Sequence, residues 1–255
     1  MKNLISILLV AGLLLIGSSA NAGIILPEGE LPALTLKIND HGQGPPVELQ
    51  PSGVEIAAGK YRYRGQEETD DWSILWDIGA NVDPVLTAAF IVTNKTSTPQ
   101  EFTLDALLPV ASMTGGTYTG GSISGVLMDA GDGATLSSLP DGLTPLYTAR
   151  IDGVDYQSLM DSPQLVSAGD YGTAPFGPDT FGAPIASMPG PFSVDESIGL
   201  KLSFQLSPGD VALISGTFVV NSLPNPVPEP STIALTVIGL VGLAGFGLRR
   251  RRRAR

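Results

Sequence analysis

Ile198, Leu200, Leu202, Phe204 and Leu206 alternate with Gly199, Lys201, Ser203 and Gln205. Successive side chains of a strand leave on opposite faces, so apolar residues repeated at every second position come together on one face only if the chain is extended. The same period recurs where Leu34, Leu36 and Ile38 alternate with Thr35, Lys37 and Asn39, and where Phe102, Leu104 and Ala106 alternate with Glu101, Thr103 and Asp105. No stretch between residues 23 and 228 sustains the longer period of an amphipathic helix.

Turn signals separate these segments at hairpin distances. Asp152-Gly153 stands between Leu146–Ile151 and Val154–Leu159, a two-residue hairpin signal because glycine accepts positive φ. Residues Asn94 to Pro99 stand between Ala88–Thr93 and Glu101–Ala106, and Ser207-Pro208-Gly209-Asp210 between Ile198–Leu206 and Val211–Val220. The pattern predicts an all-β fold, an antiparallel β-sandwich of about 8–10 strands. Pro163 to Pro191 holds 5 glycines and 6 prolines in 29 residues, which predicts one long irregular loop.

The two ends read as addresses. At the N-terminus Lys2 precedes the apolar run Leu4–Ile16, and Ala20-Asn21-Ala22 supplies the small residues a signal peptidase needs. Cleavage is expected before Gly23, with Ala20 and Ala22 in the recognition positions. At the other end Ser231–Leu248 is an uncharged stretch of 18 residues. As a helix it would be about 27 Å long, enough to cross a hydrocarbon core. Six of the last seven residues are arginine, and such a cluster stays on the cytoplasmic side. One C-terminal transmembrane helix is therefore expected, with the body outside the inner membrane.

Just before that stretch stand Pro228, Glu229 and Pro230, whose prolines keep the backbone extended up to Ser231. A Pro-Glu-Pro motif, an apolar span (Ile233–Leu248) and a terminal cluster (Arg249, Arg250, Arg251, Arg252, Arg253), in that order, resemble the PEP-CTERM sorting signal. The resemblance covers only the last 27–29 residues. It implies recognition by an exosortase, a multi-pass membrane enzyme with a catalytic cysteine, in a Gram-negative bacterium that makes extracellular polysaccharide. It further implies removal of the anchor near the motif and delivery of the body to the cell surface or matrix.

The chain thus divides into a signal peptide (1–22), a β-sandwich ectodomain (23–222), a Pro-rich spacer (223–230), a transmembrane helix (231–248) and a cytoplasmic Arg cluster (249–255). Residues 23–228 carry 24 Asp and Glu against 7 Lys and Arg, a balance of −17 that excludes general nucleic-acid binding. The absence of cysteine excludes disulfides, thiol catalysis and cysteine-ligated zinc.

Within the body, Asp129 and Asp132 sit in a glycine-rich turn, as in calcium loops, but without that motif's further oxygen ligands. Calcium is the one cofactor suggested. The run Glu67 to Asp71 reads as a solvated charged loop. Trp72 and Trp76 share a strand face with Ile74 and Ile78; buried, they are core, and exposed, they would stack on sugar rings. Tyr61 and Tyr63 alternate with Arg62 and Arg64, a mixed strip that would suit an acidic polysaccharide. Asn94-Lys95-Thr96 matches a glycosylation sequon. The single histidine, His41, builds no multi-histidine metal site. The expectation is a non-enzymatic structural or adhesive surface protein whose partners are the secretion machinery, signal peptidase, exosortase and, transiently, the inner membrane. A carbohydrate-binding module and a secreted hydrolase are the alternatives, marked by exposed tryptophans and by a cleft with paired carboxylates respectively.

Overall fold

The computed structural model describes residues 31–41, 45–81, 83–183 and 186–223. The expected signal peptide, the transmembrane helix, the Arg cluster and the spacer beyond Leu223 lie outside the described residues. Among the described residues there is no helix. In chain order the strands are β1 (Thr35–Asn39), β2 (Val47–Leu49), β3 (Gly53–Ala57), β4 (Lys60–Glu68), β5 (Trp72–Asn81) and β6 (Val85–Asn94). There follow β7 (Gln100–Pro109), β8 (Met113–Thr114), β9 (Thr117–Met128), β10 (Ala134–Ser137), β11 (Tyr147–Ile151) and β12 (Val154–Leu159). The last are β13 (Leu165–Ala168), β14 (Thr173–Phe181), β15 (Met188–Pro189), β16 (Ser193–Val194), β17 (Ser197–Leu206) and β18 (Val211–Ser222).

These strands form two eight-stranded antiparallel sheets and one small pair, β16-β8. The first sheet runs β12-β11-β17-β7-β1-β2, with β10 joining β13 to the end of β17. The second runs β14-β9-β18-β6-β5-β4-β3, with β15 beside β9. The inner faces of the two sheets meet. The Tyr147 hydroxyl on β11 donates to the Thr217 carbonyl on β18 at 2.8 Å, and the Tyr156 ring lies 6.5 Å from that of Phe218. Gly216 leaves room for Leu200 of the facing sheet, whose side chain would sit 2.7 Å from an added Cβ. Strict alternation supplies this core: Trp72, Ile74, Trp76, Ile78 and Ala80 point inward from β5 and Leu86, Ala88, Phe90 and Val92 from β6.

The all-β expectation holds, but the number of strands exceeds the 8–10 expected, chiefly because short edge strands carry little alternation. The stretch 163–191 is the main correction. It is not one irregular loop; it contains β13, β14 and β15. β14 is an edge strand, where Pro175 and Pro178 can stand without breaking a central ladder. Its register with β9 slips between Phe176 and Asp179, at Gly177, whose φ of 75° suits glycine.

Asp152-Gly153 forms the expected hairpin turn, with φ of 50° and 76° joining Ile151 to its partner Val154. The Asp152 carboxylate also accepts the backbone N–H of Glu196 at 2.7 Å and of Ser197 at 3.0 Å. The other two turns are not hairpins. β6 lies in the second sheet and β7 in the first, and β17 lies in the first and β18 in the second. Both connections are arches between sheets, and Asn94 clasps them together. Its buried Nδ2 donates to the carbonyls of Thr98 (2.8 Å), Leu206 (3.1 Å) and Ser207 (3.0 Å), while its backbone N–H donates to Asp210 O at 3.0 Å. Asn94→Ala removes this donor from the buried Leu206 and Ser207 carbonyls, while Thr98 O keeps the Thr96 hydroxyl, and should lower the unfolding free energy by about 2–3 kcal/mol. Urea unfolding followed by the fluorescence of the buried tryptophans measures this; no loss would mean the clasp is dispensable.

Candidate functional site

The strands β3 to β6 turn their aromatic residues inward. Tyr61, Tyr63, Trp72 and Trp76 are only 8%, 1%, 2% and 8% exposed, so the four candidate carbohydrate-stacking residues are core and the sugar-stacking alternative is overturned for them. The Tyr63 hydroxyl donates to Pro32 O at 2.7 Å, and burial pushes its pKa up to about 12. The Trp72 indole N–H donates to Asp40 Oδ2 at 3.0 Å, and the Trp76 ring lies over Gly65, where an added Cβ would be 2.4 Å from it.

With the tyrosines inside, alternation sends Lys60, Arg62 and Arg64 to the outer face. Asp77 on β5 receives both guanidiniums. Arg62 Nε donates to Oδ1 at 2.7 Å and Nη2 to Oδ2 at 2.5 Å, and Arg64 Nε donates to Oδ2 at 3.1 Å. The Arg62 hydrogen bonds above all, opposed by partial burial and aided by Arg64, hold the Asp77 carboxyl below the usual range. It therefore stays ionised as a clamp. Sequence reasoning missed Asp77, although the same period-two pattern that buries Trp76 and Ile78 places it outside.

The expected calcium residues do come together, and a third joins them. Asp129, Asp132 and Asp210 each offer a carboxylate oxygen within 4.8 Å of the others. Asp210 follows the arch before β18 and is fully buried. Asp129 Oδ1 accepts the N–H of Asp132 at 3.3 Å and Oδ2 that of Tyr171 at 2.5 Å. Asp210 Oδ1 accepts the N–H of Ala130 at 3.3 Å and Oδ2 the Ser207 hydroxyl. The ligand type suits a hard divalent cation, but both oxygens of Asp129 and of Asp210 already have donors, and calcium takes six to eight oxygens. The run Glu67 to Asp71 closes β4 onto β5, with Lys95 Nζ on Glu68 Oε1 at 2.5 Å, as a charged turn should. His41 Nε2 lies 2.9 Å from Thr103 Oγ1. Asn94 of the sequon is the buried clasp described above, so its amide is not presented for glycosylation.

The body ends at its centre. β18 pairs with β9 on one side and β6 on the other, and Leu223 N donates to Gly116 O at 3.0 Å. From Leu223 to Pro228 the chain can reach at most about 18 Å. The expected sorting residues Pro228, Glu229, Pro230 and Arg249 to Arg253, and the expected cleavage residues Ala20, Ala22 and Gly23, lie outside the described residues. Residues 226–252 match the PEP-CTERM protein-sorting motif. The chain carries a PEP-CTERM signal. A comparison with curated proteins gives no match. The PEP-CTERM signal makes this an exported protein sorted by an exosortase, first as a membrane-anchored precursor. In sequence the motif begins at residue 226, three positions after Leu223, with which the described body ends.

In an exported PEP-CTERM protein the acidic trio meets outside pH and outside cations. Burial, reinforced by the charges of Asp129 and Asp132, raises the Asp210 pKa despite the Ser207 and Ala130 donors. Desolvation acts in the same direction on Asp129, but the backbone N–H groups of Tyr171, Asp132, Gly133 and Gly131 outweigh it and hold that pKa low. The raised Asp210 stabilises the fold fully below the ordinary value of about 3.9, and this contribution is lost as pH rises through its folded value. Asp129 acts oppositely, its contribution present above the ordinary value and lost as pH falls. Carboxyl carbon NMR in EDTA should place the Asp210 midpoint above that of Asp129; coincident midpoints would refute the difference. Melting curves in EDTA and in millimolar Ca²⁺ should coincide. A rise of several degrees would instead assign an ion, since a ligand at a hundredfold its Kd adds about 2.7 kcal/mol.

Proposed function

We propose that this chain is a non-enzymatic surface or extracellular-matrix protein of a polysaccharide-producing Gram-negative bacterium, with a structural or adhesive body. The observation that carries the reading is the PEP-CTERM motif at residues 226–252, joined to a body made of two broad sheets. In this reading Lys2 and the apolar run after it direct export, and signal peptidase cuts before Gly23. The 231–248 segment then lodges in the inner membrane, and Arg249 to Arg253 with Arg255 stop transfer. The two prolines around Glu229 present an extended backbone to the exosortase. Cleavage there frees the body for the surface or matrix.

A structural role suits the outer face of the first sheet, where charges of opposite sign stand side by side. Lys37 lies 3.2 Å from Glu48, Arg150 bonds Asp105 and lies 3.1 Å from Asp155, and Lys201 lies 2.6 Å from Asp155. Such pairing satisfies a broad sheet face in water without an apolar partner.

Mass spectrometry of the exported protein tests the trafficking. The expected termini are Gly23 and a residue between Pro228 and Ser231. Arg249 to Arg253 on the mature surface form would overturn exosortase cleavage and leave a plain anchored protein. Replacing Arg249 to Arg253 and Arg255 by serine should reduce the processed fraction, because the charge that holds the tail inside is gone. Processing at the normal rate would remove the arginines from the signal.

A further inference from the structure

The outer face of the second sheet differs from that of the first. Three of the seven Lys and Arg of residues 23–228 stand in one row on β4: Lys60, Arg62 and Arg64. Arg62 and Arg64 share the single carboxylate of Asp77, so the clamp keeps one net positive charge, and Lys60 adds another. Arg64 reaches Asp77 through Nε alone, and its side chain is 63% exposed. Its two terminal nitrogens therefore have no hydrogen-bond partner among the described residues. The shared carboxylate orients both guanidinium planes before any ligand arrives, which reduces the ordering that binding requires.

Beside the clamp lies a groove of 370 Å³ that crosses β4, β5, β6 and β18. Gly79 makes it: a Cβ there would come 2.7 Å from Thr87 Oγ1 and fill the floor. Ala89 forms the apolar part of the floor, and Thr87 and Ser215 bring hydroxyls to it. On the far side of Arg62, Val54 and Ile56 stand 60% and 59% exposed. Cation, hydroxyl and apolar wall thus converge in one depression, in a body whose overall balance is −17.

We infer that this groove binds an anionic glycan, with a sugar carboxylate held on Arg64 and Arg62. Charge complementarity selects the ligand class: a local excess of guanidinium attracts a carboxylate, which it can bond in two places at once, whereas the acidic remainder of the surface repels one. The uncharged features select a sugar over a bare polyanion. A pyranose ring offers hydroxyls to Thr87, Ser215 and Asp77 and a C–H face to Ile56, while a polyphosphate uses only the charges. The inference rests on the reading of the body as an adhesive surface protein and names the ligand class of that adhesion.

The test titrates the full-length protein, in non-ionic detergent, with a galacturonic acid hexamer, a neutral glucose hexamer, polyphosphate and poly-glutamate, read by calorimetry. Saturable binding of the uronate hexamer is expected, at least about tenfold tighter than the other three, a difference of about 1.4 kcal/mol. Arg64→Gln, at an exposed position, should weaken the uronate by a similar factor without changing the melting temperature. Gly79→Val should do the same by filling the groove while leaving the charges in place. Equal affinity for polyphosphate or poly-glutamate would reduce the site to a general anion patch and overturn the inference. So would unchanged affinity in Arg64→Gln, or no heat with millimolar uronate. Because the ligands are added to purified protein, failure here is separate from failure of the sorting reading, which the termini of the exported chain decide.

Discussion

Asn94 sits where the chain crosses twice from one sheet to the other, and its single amide serves both crossings. In the β6–β7 arch the amide and the Thr96 hydroxyl both donate to Thr98 O, and in the β17–β18 arch the amide donates to Leu206 O and Ser207 O. A buried carbonyl without a partner is unfavourable by an amount comparable to a lost hydrogen bond. The amide ties the start of one arch to the end of the strand before the other, and beyond this tie β18 lies between β9 and β6 while β17 lies against β7. Asp210, at the end of the second arch, then stands over the β9–β10 turn and meets Asp129 and Asp132. The acidic trio follows from the clasp.

The two outer faces solve the same problem differently. On the first sheet Asp105 shows the balance: burial raises its pKa, while Arg150, Lys201 and Lys37 around it pull the other way. Its neighbours in register, Lys201 and Lys37, keep alternating charge running across the sheet. On the second sheet the charge is concentrated at one end, in the Arg62–Asp77–Arg64 clamp; Gly79, Thr87, Ala89 and Ser215 lie beside it on one side, and the exposed apolar side chains of Leu75 and Ile91 on the other. One face is internally neutralised, and the other retains an unspent positive site. Sorting and surface chemistry are joined through β18, since the strand that floors part of the groove with Ser215 also leads the chain to the PEP-CTERM signal.

Much of this was legible residue by residue. The alternation of β5, β6, β7 and β17 is local, because a strand's side chains alternate whatever its partners are. The Asp152-Gly153 turn is local too, since positive φ is a property of those two residues. The order of Pro-Glu-Pro, apolar span and arginines is local to the C-terminus and needs no tertiary structure. Even the basic row was written into β4: with Tyr61 and Tyr63 inside, Arg62 and Arg64 had to be outside.

The fold alone decided which face was which and which strands became neighbours. Whether Trp72 and Trp76 were core or platform depended on a second sheet covering that face, which no local pattern states. The arches looked like hairpins because loop length constrains closure but does not name the partner of the next strand. Asp210 reached Asp129 across 80 intervening positions, and Pro175 and Pro178 entered a strand because β14 happened to be an edge. By itself the sequence determined the period, the tight turn and the C-terminal sorting signal, because short-range sterics and charge suffice for them. Pairing, burial and the composition of each site came from tertiary structure, because they depend on contacts between residues far apart in the chain.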